Sequence, residues 1–526
     1  MPHASASIRF ASEPPPRRCA RPALPGLARP AGALPSPGLA VHRVHALLAA
    51  VLLCAAAAWP PLARAADERA LVLRNVTIVN LERDRLEPGR DVVIVGDRIV
   101  AVHPHGLAGA PAAAAGTRVL EGGGRFLMPG LWDFHVHLFS APGEEDYALP
   151  LAIVNGVTGV RDVGALRSLA EQRRVVQAVE RGERVGPRIV LAGALIDGPP
   201  GSWPGQMVAA TPREARQRVR EAKAAGWGVV KSYSLLAEPT YLALADEARR
   251  LKLPLFGHVP EAVPLRTAVR AGHRSIEHFG RVTQACARDE GAMIAANAAA
   301  LESAQPLPAL MAVMMTHNQR TLASWDEALC HEVLRDLAAR GVAVMPSLMV
   351  SDFYLGKDPA PDDPRMRSVP RAVRAQWGQG DWRRQQIPPD LLAQAPKSVA
   401  LDWKTFRMAH DAGVMILAGT DATWANPFLF HGHTLHDELA RYVQAGLTPR
   451  QALLTATANP GRFLGREDLG GVVAARRRAD LVLLDANPLD DIAATRRIHA
   501  VIAAGRLYDR AALDALQREI EERAAR

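Results

Sequence analysis

The side chains of this chain best suited to chemistry are two histidines spaced by two, His135 and His137, and four more distant residues, Lys231, His258, His278 and Asp421. Imidazole nitrogen and carboxylate oxygen are ligands for Zn2+ and similar divalent ions. On an extended strand a spacing of two puts both imidazoles on one face. Taken singly, each residue has a bland explanation, because a lone histidine near a strand end is more often a core or surface group. The H-x-H pair is only moderately specific. What joins the six is where they fall in the periodicity of the chain.

Eight segments read as strands alternating with amphipathic helices: FHVHLF (134–139), GVTGVRDV (156–163), RIVLAGALI (188–196), GVVKSY (228–233), LPLFGHV (253–259), SIEHFG (275–280), VAVMPSLMV (342–350) and VMILAGTDA (414–422). Two of the helices announce their starts, at Thr211-Pro212 with Glu214 three residues after the cap, and at Thr448-Pro449. Eight strands with helical crossovers predict an α/β fold, a (β/α)8 TIM-type barrel over 127–469. Before it, 71–126 carries short period-two segments with Gly-containing turns, which read as a small antiparallel β-unit. Similar strands return at 479–486 and 499–509. The economical arrangement is one β-sandwich built from 66–126 and 470–515, with the barrel inserted between.

Active sites of such barrels lie at the C-terminal strand ends. His135 and His137 sit near the end of strand one, Lys231 at the end of four, His258 of five, His278 of six and Asp421 of eight. Four histidines, a lysine and an aspartate at one mouth predict a metal site. Three further residues are candidate substrate contacts. Arg161 ends strand two and suits a substrate carboxylate; Tyr233 lies two residues beyond Lys231; Trp203 belongs to the proline-stiffened loop 197–205 after strand three. For each of these three, packing or a structural ion pair is an equal reading. Residues 357–397, with Trp377 and Trp382, read as a lid or as a peripheral insertion.

The motifs MPGLWDFHVHLF, GVTGVRDVG, VVKSYSLL, GHVPEA, RSIEHFG and LAGTDA, followed by 435–465 and 478–492, resemble in order the strand-end motifs of the amidohydrolase superfamily. They are most similar to its imidazolonepropionase-like and prolidase-like branch, over nearly all of 71–510. The resemblance implies that His135 and His137 bind the more buried metal and that His258 and His278 bind a second. It implies that Lys231 bridges the two and that Asp421 contacts the first while shuttling protons. An ammonium group has no lone pair, so Lys231 can bridge only as a carbamate formed with CO2. One or two Zn2+ ions, or other divalent metals, are thus the expected cofactor. A bound ion would bring the pKa of water from about 16 down to about 7. Asp421 would pass the proton to the departing nitrogen, with His258 or His278 stabilising the oxyanion if one metal is bound. The implied substrates are dipeptides, N-acyl amino acids or cyclic amides. A barrel that binds a metal or ligand without turnover is the reading of another class. The chain departs from the family pattern at Ala475-Arg476-Arg477, where a Pro-Gly-Lys turn is usual, which puts that turn's geometry in doubt.

With 48% hydrophobic and 22% charged residues, the 526-residue chain has ample material for a core. Its net charge of +9 tempts toward nucleic acid, but residues 1–65 hold six of those charges. No basic, aromatic-interleaved stripe remains in the rest, so a nucleic-acid partner is not expected. Those first residues read as a Pro/Ala/Arg-rich disordered extension followed by an export signal. The signal consists of Arg43, the thirteen-residue apolar run 46–58 and the small-x-small site Ala63-Arg64-Ala65. The run is short for a membrane span, and Leu53 before Cys54 argues against lipidation. A true translation start near Val41 would explain the odd extension. The expected location is periplasmic or secreted, the expected partner a small molecule or short peptide, with homo-oligomerisation left open. After processing, Cys286 and Cys330 remain, either paired in an oxidising compartment or as two separate buried thiols.

Overall fold

The computed structural model describes residues 70–107, 116–164, 167–203, 205–360 and 362–526, so the expected export segment and translation start lie outside it. The fold is mixed α/β. Its parallel strands are β6 (Leu131–Val136), β7 (Val157–Asp162), β8 (Arg188–Leu191), β9 (Ala194–Asp197), β10 (Met207–Val208), β11 (Val230–Ser232), β12 (Leu255–Gly257), β13 (His273–Glu277), β14 (Ala343–Met345) and β15 (Met415–Ile416). They form a three-stranded sheet, β6-β7-β8, and a seven-stranded one, β10-β9-β11-β12-β13-β14-β15. The predicted third strand is thus split into β8 and β9. At the other flank, backbone bonds run from Phe134 N to Ala418 O (2.8 Å), Asp421 N to His135 O (2.9 Å) and His137 N to Ala422 O (3.1 Å). Strands β6 and β7 are buried along their whole length, as expected of parallel strands covered on both faces.

Every predicted strand is present, most of them shorter than their apolar runs, and the first shifted three residues toward the N-terminus. Strand seven ends at Met345, and 348–350 continue as the 3-10 turn Leu348–Phe353. Strands five, six and eight end early, so His258 and His278 stand one residue past their strand ends and Asp421 five past its own. His278 and Asp421 have φ of 62° and 61°. This left-handed conformation is uncommon for residues with a Cβ and recurs at functional sites.

The helix starts are as read from sequence. Thr211 Oγ1 accepts from Glu214 N, with Pro212 in the first turn, and Thr448 forms a reciprocal capping box with Gln451. Both caps satisfy N–H groups that have no intrahelical partner.

The remaining strands are β1 (Leu71–Asn80), β2 (Arg85–Val95), β3 (Arg98–Pro104), β4 (Arg118–Glu121), β5 (Phe126–Pro129), β16 (Leu481–Leu484), β17 (Ile498–Ala503) and β18 (Arg506–Tyr508). The two chain ends do assemble together. They make one eight-stranded sheet, β18-β17-β16-β5-β1-β2-β3, with β4 on β1. The join is antiparallel, Leu127 opposite Leu483. Period-two residues from both ends, Leu71, Leu73, Ile78, Val92, Leu481 and Leu483 among them, share one apolar cluster. The unit is not purely antiparallel as expected, because β4 and β5 lie parallel to β1. At the atypical Ala475-Arg476-Arg477 turn, Arg476 takes φ 70° and its N–H donates to Ile99 O. An arginine thus occupies a left-handed position, and the turn stays hydrogen-bonded to β3. The chain closes with a helix the sequence reading missed, Arg510–Ala525, which packs on Glu144–Val154. Among the described residues, no helix is long and apolar enough to cross a membrane.

Candidate metal centre and active site

The expected ligands converge. His135 and His137 project from the end of β6 with their Nε2 atoms 3.0 and 3.2 Å from Asp421 Oδ1. The His278 ring centroid lies 5.1 Å from that of His135 and 4.9 Å from that of His258. One ligand atom from each of His135, His278 and Asp421 falls within 4.8 Å of the others. Two glycines permit the approach. A Cβ on Gly419 would meet His135 Cβ at 2.7 Å, and one on Gly257 would meet Ser232 O at 2.4 Å and Lys231 Cγ at 2.8 Å. Thus only glycine lets the strand-eight segment lie against His135 and lets β12 lie against Lys231.

Burial sets the protonation states. It pushes His135 down to about 3, against the pull of Glu277 and Asp421, and it also lowers His258 and His278. Burial would raise Asp421, but His135, His137 and His278 together hold it well below the usual carboxylate range. Neutral imidazoles beside an ionised carboxylate are what a divalent cation requires of its ligands. Asn426, which sequence reasoning missed, donates to Asp421 Oδ2 at 2.8 Å and fixes its plane. Behind the H-x-H pair, Asp133 accepts from His135 N, Thr420 N and Thr420 Oγ1, and burial pushes it up to about 7. Asp162, likewise raised to about 7 by burial, accepts from Leu138 N.

A metal fits this donor set. His135 Nδ1 and His278 Nδ1 are buried without a hydrogen-bond partner, and His135 Nε2 faces the Asp421 carboxylate at 3.0 Å. Buried polar atoms normally have partners, and two unpartnered imidazole nitrogens beside a buried carboxylate suit a centre built for a cation.

Lys231 is fully buried, with Nζ 3.0 Å from Glu277 Oε2. Glu277 was missed, although a glutamate inside the apolar run SIEHFG is itself a signal, since such residues are almost never buried unpaired. Its other oxygen takes Arg161 at 3.0 Å. Burial alone would raise this carboxyl, but Lys231, His135 and Arg161 hold it well below the usual range.

At Arg161 the structure shows the second of the two readings, a structural ion pair. Arg161 is fully buried beneath the ligands, donating to Phe134 O at 2.8 Å and lying between the rings of Phe134 and Phe256. Tyr233 and Trp203 do border the site. The Tyr233 ring stacks on His258 at 4.1 Å, the Trp203 indole N–H donates to Tyr233 Oη at 2.6 Å, and Trp203 lies parallel to His137. Ser234 and His258 Nδ1 share a hydrogen bond of 2.9 Å, leaving Nε2 free of that contact. The loop after β9 is anchored by Asp197, which accepts from Ser202, Leu235 N and Gly198 N.

The sequence pattern of the Amidohydrolase family matches residues 126–508. The chain belongs to that family. Among solved structures it is similar to a putative prolidase from Bifidobacterium longum, 26% identical with a TM-score of 0.58, covering 86% of this chain and 99% of that one. Among curated proteins it is 22% identical over 429 residues to the ochratoxinase of Aspergillus niger, covering 70% of this chain and 71% of that enzyme. A 70-residue stretch is 39% identical to the adenine deaminase of Paracoccus denitrificans, 13% of this chain and 11% of the deaminase. The chain therefore spans about a tenth of the length of such deaminases at that level of identity. These relatives fix a hydrolase family and a prolidase-like fold.

Proposed function

We propose that this amidohydrolase is an exported, metal-dependent enzyme that cleaves an amide-type C–N bond in a dipeptide, an N-acyl amino acid or a cyclic amide. The observation that carries the reading is the convergence of His135, His137, His278 and Asp421 at one end of the parallel strands, with a buried ring nitrogen of His135 and of His278 left unpartnered. In this reading the parallel strands form one (β/α)8 barrel over 127–469, and the mixed sheet folds on itself as a sandwich.

His135, His137 and Asp421 would hold one Zn2+ and His258 and His278 a second, with Lys231 joining as its carbamate. When bound, the metal supplies Lewis acidity toward a water and an amide carbonyl. Asp421, ionised and held by Asn426, accepts the proton of the attacking water and delivers it to the departing nitrogen. An amine cannot leave without that proton. The buried, neutral imidazoles keep their lone pairs available, and Asp133 fixes the backbone of His135. Tyr233 and Trp203 form a rim that orients the substrate.

The thirteen-residue apolar run before Ala63-Arg64-Ala65 and the disulfide Cys286–Cys330 support export. The test is a panel of dipeptides and N-acyl amino acids, offered to the full chain loaded with Zn2+ and bicarbonate, with and without chelator. Hydrolysis lost on chelation and restored by metal is expected. A chain that binds no metal and cleaves no member of the panel overturns the proposal in favour of a binding module.

A further inference from the structure

His258 and His278, with Ser234 and Glu277, line a cavity of about 550 Å³ that His135 and His137 do not reach. That volume is in the range that holds drug-sized ligands, about 300–1,000 Å³. The lining also carries a set of apolar side chains, Met311, Met314, Met315, Leu322, Ile387 and Leu391, beside polar ones such as Asn318, Gln319 and Gln386. Among the described residues only seven large hydrophobic side chains are exposed, and Met311 and Met314 are two of them, at 42% and 38%. Thioethers are flexible and polarisable and suit a surface that must fit an apolar group of variable shape. Two polar side chains of the lining are engaged within the protein. His317 pairs with Asn297 at 2.9 Å, and Thr283 donates to Asp402.

The wall is also stapled. Cys286 and Cys330 are joined across 44 residues, and the excursion between them carries the helices Glu290–Leu301, Pro306–Met314 and His317–Ser324. Leu310 and Ala300 of this excursion pack on Leu235, three residues beyond the end of β11. An apolar surface held rigidly open beside a hydrolytic centre is preorganised for a ligand, which lowers the cost of binding.

We propose that the substrate carries a large apolar group, an aliphatic or aromatic chain of several carbons, that lies in this cavity while the scissile amide meets the histidines. The inference rests on the amide-hydrolase reading above and narrows it. Small dipeptides and compact cyclic amides become poor substrates.

The test uses the acetyl, butanoyl, hexanoyl and octanoyl series of N-acyl-L-alanine and N-acyl-L-proline with the full chain. Binding is measured by calorimetry on metal-free protein, and kcat/KM on zinc-loaded protein. Each methylene buried is worth about fourfold in affinity, so Kd should fall and kcat/KM rise at least about tenfold from acetyl to octanoyl. Met315→Glu and Leu391→Glu should each lose most of that gain, with folding checked by circular dichroism. Affinity and turnover independent of chain length overturn the inference, and so does an unchanged gain in both variants. Tightening without hydrolysis of any member supports the cavity assignment and overturns the hydrolase reading instead.

Discussion

Glu277→Gln perturbs the charge network beneath the ligands most sharply. The carboxylate is fully buried between two cations, Lys231 Nζ and Arg161 Nη2, each at 3.0 Å. The amide keeps the shape and removes the charge, leaving an ammonium and a guanidinium buried together. Removing one member of a buried pair costs about 3–5 kcal/mol. Because two cations depend on this acid, the loss should fall in the upper part of that range. Arg161→Met leaves a one-to-one pair and should cost less, despite losing the bond to Phe134 O. The double variant should then lose less than the sum of the two, the signature of direct coupling. Urea unfolding of chelator-treated protein reads all three values. A Glu277→Gln variant within about 0.5 kcal/mol of the parent, or strict additivity in the double variant, would refute the argument.

Reducing Cys286–Cys330, which closes a separation of 44 residues, should lower stability by about 2–4 kcal/mol. It should also expose 287–329 to protease first; an unchanged urea midpoint and cleavage pattern would contradict this. Glu438 is pushed up to about 7 by burial, against the N–H groups of Met349 and Leu348. Unfolded, it ionises near 4.5, so the folded protein holds the extra proton between those values and this group's contribution to stability falls as pH rises through them. The unfolding free energy of the parent relative to Glu438→Gln should thus drop by up to about 3 kcal/mol from pH 5 to pH 8, and a flat or rising difference would count against it. Carbamylating Lys231 would put two anions beside Arg161 where one ion pair now sits. Incorporation of 13C-bicarbonate, followed by NMR, should therefore require a divalent metal; labelling of metal-free protein would show that Glu277 does not oppose it.

Much of this site was legible because the periodicity of parallel strands and the spacing of His135 and His137 depend on local sequence. Strand ends place side chains at a common mouth whatever the loops do, so six scattered residues could be assigned to one place. The sequence left Arg161 open between a substrate contact and a structural ion pair because its position at a strand end is compatible with facing either the rim or the interior. Only the distant Glu277, 116 residues away, decides that it turns inward. Asn426 was missed because it holds Asp421 from a loop with no periodicity. The early strand ends at Gly257 and Met345 were also hidden, since apolar runs continue past the last ladder bond. The C-terminal helix Arg510–Ala525 lies beyond the last period-two segment, where no alternating pattern marks it. The pairing of Cys286 with Cys330 depends on how Gly280–Ala285 and Glu327–Ala339 approach each other, which no local pattern encodes.

The claim on which the account stands is that His135, His137 and Asp421 hold a divalent cation. Metal content per chain, measured after zinc loading and dialysis in the parent and in a His135→Asn/His137→Asn variant, tests it most directly. The account predicts one or two tightly held ions in the parent, fewer in the variant, and amide hydrolysis that follows occupancy. Equal metal content in both proteins, or none in either, would contradict it.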